Sequence, residues 1–185
     1  MEKMKKIRIL LMALCLVFLL ASCDSGGGGG SDDDDDLVVD PFPAIAVEPY
    51  LPDEFAGLNG DLFKSDLEIE EEVIDGVTYV TKELTSVYFF ENLSFVSSTT
   101  KIYINKSTGV KDDTKTEKEP AAKGTYTVTG NTTNGTLNVS RTHGWEDDPA
   151  PGHWEEDAEN RNLTVNNGVF SITESGITVN FTKSS

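Results

Sequence analysis

Cysteine is nearly absent from this chain: Cys15 and Cys23 are the only two among 185 residues. No disulfide framework can carry the fold, so stability must come from a core. Basic residues are scarce as well, 15 against 32 acidic ones, for a formal charge of −17. That balance excludes nucleic acid as a partner, because phosphates need Lys and Arg. It equally excludes an electrostatic grip on anionic lipid, and it favours a soluble monomer. No apolar run reaches the ~20 residues of a spanning helix. The chain contains no Gly-x-Ser-x-Gly elbow, no His-Glu-x-x-His pair and no phosphate loop. Carboxylates are so plentiful that a glycosidase-like pair would arise by chance and decides nothing. The sequence therefore reads as non-enzymatic, with no cofactor and no metal.

What is present begins at the N-terminus. Lys3, Lys5, Lys6 and Arg8 precede an apolar run from Ile9 to Ala21, which ends in small residues. This is the pattern of a secretory signal. Leu20-Ala21-Ser22-Cys23 resembles the lipobox of bacterial lipoproteins. The resemblance implies cleavage between Ser22 and Cys23, a thioether-linked diacylglycerol on Cys23, and usually a third acyl chain on the new amine. One acyl chain holds a bilayer only marginally, whereas two or three anchor stably. Residues 1–22 carry four basic residues and one acidic, so the mature chain would stand at −20 with a single, lipid-bearing cysteine.

Gly26 to Gly30 read as flexible coil, which mutual repulsion among Asp32 to Asp36 is expected to extend. With Pro41, Pro43, Pro49 and Pro52, residues 23–52 read as a tether whose reach is about 30 Å. Five consecutive aspartates lack the alternating spacing and turn glycine of a calcium loop. Ser31-Asp32-Asp33-Asp34-Asp35 resembles the acidic export tethers of some surface-exposed bacterial lipoproteins, which implies an outward-facing place on the outer membrane. Asp24, directly after the cysteine, resembles the inner-membrane retention signal of enteric bacteria and argues the other way.

Residues 53–185 leave room for one domain. Ile177, Val179 and Phe181 alternate with polar residues, as do Phe170 with Ile172, Leu137 with Val139, and Tyr126 with Val128. Period-two alternation predicts half-buried antiparallel strands. Asn167-Gly168 and Ser175-Gly176 predict tight hairpin turns. Leu84–Phe90 and Leu93–Ile104 read as a longer hairpin around Glu91-Asn92, with further strands at 77–80 and 67–74, and 106–118 as a polar loop or an edge hairpin. The expectation is all-β: about eight strands in one antiparallel up-and-down barrel. The Asn-x-Ser/Thr triplets at Asn92, Asn138 and Asn180 fit polar outer strand faces better than glycosylation.

Lys123-Gly124-Thr125-Tyr126-Thr127-Val128-Thr129-Gly130-Asn131, followed by Gly135-Thr136-Leu137-Asn138-Val139, resembles a repeated hairpin of bacterial lipocalin-like domains. Leu51 to Gly57 resembles the approach to their first strand, and Tyr88 to Phe95 their second hairpin. The resemblance implies a lipocalin-like barrel. It departs at Asn59, where the family often carries a tryptophan that plugs the barrel floor.

Both tryptophans and both histidines fall in one stretch, His143-Gly144-Trp145-Glu146-Asp147-Asp148 and Gly152-His153-Trp154-Glu155-Glu156-Asp157. Three roles are open to it. Trp145 and Trp154 can form an aromatic platform for a sugar-like ring. His143 and His153 can join carboxylates around a divalent metal, though their spacing matches no familiar ligand set. Or the stretch is a long β-hairpin whose tryptophans cover the barrel. The functional expectation is a membrane-anchored, non-catalytic module binding a small apolar or carbohydrate ligand, with a surface interaction protein built on a filled barrel as the alternative.

Overall fold

The computed structural model describes residues 40–147, 152–174 and 176–184. By its contacts the chain falls into a large unit, residues 39–172 with 179–185, and a small one that includes the hairpin tip 173–178. The large unit holds most of the sheet and the buried core.

Nine strands form one antiparallel sheet: β1 (Gly60–Ser65), β2 (Glu68–Ile74), β3 (Val77–Phe90), β4 (Ser94–Asn105), β5 (Glu117–Gly130), β6 (Gly135–Glu146), β7 (His153–Val165), β8 (Val169–Glu174) and β9 (Ile177–Lys183). The hydrogen-bonded order is β7-β6-β5-β4-β3-β1-β9-β8, with β2 also on β3. β1 and β2 are two halves of one broken strand. β1 pairs with Ser86–Phe90, and β2 pairs with Val77–Glu83. At the break the Thr85 backbone N–H donates 3.0 Å to the Ser65 hydroxyl. Counted this way, eight strands run up and down around a nearly closed barrel, as expected. The end strands β7 and β8 are tied through the Asn166–Val169 bridge. Asn167 and Gly168, at φ 52° and 77°, make the predicted turn there, in the left-handed region that Asn and Gly tolerate.

Period-two alternation turns one face of each strand inward, and every strand but β2 contributes to one apolar core. Phe63, Val87, Phe89, Phe95, Tyr126, Leu137, Leu163, Val165, Phe170 and Phe181 form a single buried cluster. Its rings interlock around Phe89, whose centroid lies 5.0 Å from Tyr126, 5.7 Å from Phe63, 6.1 Å from Phe95 and 6.2 Å from Phe170. Phe170 stacks on Phe181 at 4.9 Å. The one phenol in the cluster is satisfied: the Tyr126 hydroxyl donates 2.9 Å to the Phe90 carbonyl.

The floor is polar. Asn59 stands where the resemblance places a tryptophan plug, and its carbonyl accepts from the Glu91 backbone N–H at 3.0 Å. Asp61 does the tying instead, bonded to the Thr132 hydroxyl and paired with Lys183 at 2.9 Å. Burial alone would raise the Asp61 pKa, but the bonds from Thr132 and Lys183 outweigh it and hold the carboxyl below its ordinary range.

β3 is buried on both faces. Its outer face, with that of β4, is covered by a belt of residues 40–50, a stretch that the sequence pattern assigns to the tether. Phe42, Ile45 and Val47 pack on Leu84, Ile102 and Ile104. Beneath them Lys82 is fully buried. Its ammonium donates 2.6 Å to Asp40 Oδ2, 2.6 Å to the Phe42 carbonyl and 2.9 Å to the Ile45 carbonyl. All three of its N–H groups thus have an acceptor, which a buried ammonium requires. The belt continues to Tyr50, whose carbonyl accepts from the Ser98 hydroxyl. A short 3-10 turn, Asp53–Phe55, comes next, and Phe55 stacks on Phe90 at 5.6 Å.

Candidate functional site

The inner face changes character at one end of the barrel. Cross-strand register sets Glu68 of β2 opposite Glu83 of β3, Glu83 opposite Lys101 of β4, and Lys101 opposite Glu117 of β5. Four neighbouring strands therefore contribute one lateral row: three carboxylates and a single ammonium. The next positions on this face add Glu70 and Glu72 on β2, Thr81 and Tyr79 on β3, Tyr103 on β4 and Glu119 on β5.

The hydrogen bonds follow the register. The Tyr103 hydroxyl donates 3.0 Å to Glu117 Oε1, and Tyr79 donates 3.4 Å to Asp112. Lys101 reaches diagonally to Glu72 at 3.3 Å, and its ammonium lies 5.3 Å from the Tyr103 ring centre.

Burial first, and then an excess of acids over bases, raises several groups of this face. Glu68 is pushed up to about 7, first by burial, then by the charges of Glu70 and Glu83 and a hydrogen bond shared with Glu70; Lys101 opposes this only in part. Glu83 is raised by burial and by Glu70 and Glu117, against the pull of Lys101. Glu119 is raised by burial and by Asp147, Glu117 and Glu83. The Tyr103 phenol is driven to about 12 by burial and its bond to Glu117. Chemically, the row can hold a proton near neutrality, and it presents acceptors to a cation. Among the described residues, no group of three or more His, Cys, Asp or Glu side chains is placed to hold a metal.

The residues singled out from the sequence lie elsewhere. Ser22 and Cys23, the expected cleavage and lipidation site, fall outside the described residues. The histidine and tryptophan stretch forms a long hairpin, β6–β7, with Trp145 directly opposite Trp154. The indoles meet edge to face at 5.2 Å. His143 shares their face, two residues from Trp145. His153 points to the other face, where its Nε2 lies 3.2 Å from Glu155 Oε1. The register thus brings the tryptophans together and separates the histidines, because 143 and 153 are out of phase across the ladder.

The tryptophan edges are already occupied. Trp154 Nε1 donates 2.6 Å to Glu54 Oε1, and Trp145 Nε1 donates 2.6 Å to Asp147. Lys123 Nζ lies 4.3 Å from the Trp154 ring centre and pairs with Glu54 at 3.3 Å. Gly152 backs so closely on Trp145 that a Cβ there would sit 2.5 Å from the indole. Glu54 comes from the turn that ends the belt, so this cluster fastens the entering chain to the outer wall of the barrel.

Compared with known proteins, the chain matches no family model, no curated protein and no solved structure.

Proposed function

We propose that the protein is a lipid-anchored envelope protein whose barrel is a solid scaffold, recognising a macromolecular partner through its exterior rather than carrying a small molecule inside. One observation favours this over the carrier reading: the middle of the barrel is filled by rings from β1, β3, β4, β5, β8 and β9 and by aliphatic side chains from β6 and β7. Pockets that hold small ligands measure roughly 300–1,000 Å³. Aromatic rings with centroids 4.9–6.2 Å apart leave no such space between them. The aromatic platform is the weaker reading as well, because the Trp154 edge is bound to Glu54 and Lys123 lies against its ring. The anchor is Cys23 after removal of residues 1–22, and the glycine and aspartate run holds the barrel away from the bilayer, facing outward from the outer membrane. The acidic surface directs recognition toward a partner that presents basic groups, and away from nucleic acid.

Native mass spectrometry of the mature protein, gently extracted from its own envelope, tests this. The expected result is the chain with its acyl groups and no further mass. A defined additional small molecule would restore the carrier reading. Cys23→Ser should move the protein out of the membrane fraction, and retention there would remove the anchor from the proposal.

A further inference from the structure

β2 lies at an edge of the sheet, as β7 and β8 do. Among the described strands it is hydrogen-bonded to β3 alone. The ladder is interrupted between it and β1, where Ser65 supplies a side-chain acceptor to Thr85. At its far end Asp75 and Gly76, at φ 51° and 78°, form a tight turn into β3. Within the ladder, Glu68 faces Glu83 directly. Like charges opposite one another on adjacent strands are destabilising, and a neutral pair is not. We propose that β2 is a proton-controlled flap: with the facing Glu68–Glu83 pair protonated it lies closed on β3, and as that pair ionises its Glu68 end peels away and opens this end of the barrel.

The charged groups around Glu68 set the direction. On its own strand stand Glu70 and Glu72, on β3 Glu83, on β4 Lys101 and Tyr103, and on β5 Glu117 and Glu119, with Asp147 beyond β6 adding to the field at Glu119. One ammonium answers this set, and it already pairs with Glu72. Lys106 pairs with Glu71 on the outer face at 2.5 Å, which holds the far part of the strand. Opening therefore begins at Glu68, beside the Ser65 break.

A carboxyl raised in the folded state binds its proton more tightly there than in the opened state. The closed form is then favoured most below the ordinary glutamate range. It loses that advantage as pH climbs from about 4.5 toward 7, and the loss levels off above. The flap opens on the alkaline side.

Amide hydrogen exchange by NMR, corrected for intrinsic rates, reads this strand by strand in the intact mature chain. Protection of Glu68–Glu71 should fall about ten-fold between pH 5 and pH 8, while protection in β6 stays constant. In Glu68→Gln, which keeps the shape and removes the charge, β2 protection should stay flat over the same range. Glu83→Gln should also flatten it, since either change removes the facing pair. Constant protection in the unmodified chain would overturn the proposal. So would an equal fall in β6, or an undiminished fall in both variants.

Discussion

One face of one strand, β3, meets two different interiors. Val87 and Phe89 stand in a buried cluster of apolar side chains and one satisfied phenol. Thr81 and Glu83, a few residues earlier on the same face, look onto carboxylates and one lysine. The backbone is continuous and the register unbroken from one to the other. The difference lies in what the interior can exchange. Rings at van der Waals distance hold a single arrangement, because any shift opens a void. Carboxylates that share too few positive charges keep two states within reach, separated by a proton. The aromatic end fixes the fold, and the charged end leaves it adjustable.

The comparison breaks most severely at Phe89, which meets four other rings. Phe89→Ala should cost about 3–5 kcal/mol of folding stability, as for other buried phenylalanines, and urea denaturation measures it. A loss under about 1 kcal/mol would mean that the rings can close over the gap and that the core is less tightly interlocked than the distances indicate. The outer face of β3 should respond next. Lys82→Ala removes the ammonium that ties Asp40, Phe42 and Ile45 to the barrel. The Asp40 carboxylate then loses its ion pair with Lys82, but it is partly open to water, which lessens the penalty. A loss of about 2–3 kcal/mol is expected, together with new protease cleavage within residues 40–50. Lys82→Met, which fills the same space, should recover part of the stability without restoring the belt.

How much of this is legible in the sequence depends on how local the signal is. Phe170 with Ile172 and Ile177 with Phe181 alternate cleanly because one face of each strand is wet, and Asn167-Gly168 has few uses other than a tight turn. β3 conceals its nature. Tyr79, Val80, Thr81 and Lys82 are all buried, because the belt covers one face and the barrel closes the other, so no alternation survives. β7 conceals itself for the opposite reason. Its residues from Glu155 to Asn162, Ala158 apart, are polar on both faces, and only pairing with β6 makes them a strand. The charged row cannot be read from the chain at all. Glu68 and Glu117 share it only through three successive pairings, each non-local, and a one-residue slip in any would turn a member to the other face. The histidine and tryptophan stretch stands out by composition, yet composition carries no phase. The register alone pairs Trp145 with Trp154 and sends His143 and His153 to opposite faces. Lys82 gives no signal either, since lysine is seldom fully buried, and its acceptors lie some forty positions away.

Trp154→Phe keeps an aromatic ring under Lys123 and removes the N–H that Glu54 accepts. A loss of about 1 kcal/mol is expected, the ordinary worth of one hydrogen bond to a charged acceptor in a partly wet setting. Trp145→Phe should cost less, because Asp147 lies only two residues away on the same strand end and is exposed. If the two changes cost the same, Glu54 contributes nothing to fastening the belt.

The smallest effect is the most informative for the two interiors, because its sign is opposite to the rest. Glu83 is raised by burial and by Glu70 and Glu117, with Lys101 only partly compensating. Its charged form is therefore the disfavoured one in the folded chain, and folding stability falls as pH rises from the ordinary glutamate range through the raised value. Glu83→Gln should leave stability unchanged at about pH 3, where the carboxyl is protonated in both states. At about pH 8 it should add a few tenths to about 1 kcal/mol, kept small by solvent screening at this end of the barrel. Paired urea titrations at the two pH values measure the difference. A polar interior residue whose neutral replacement stabilises only on the alkaline side is held in place by its protonation state. A loss on the alkaline side would instead make the Glu83–Lys101 attraction the dominant contact, and the charged end would then be as fixed as the aromatic one.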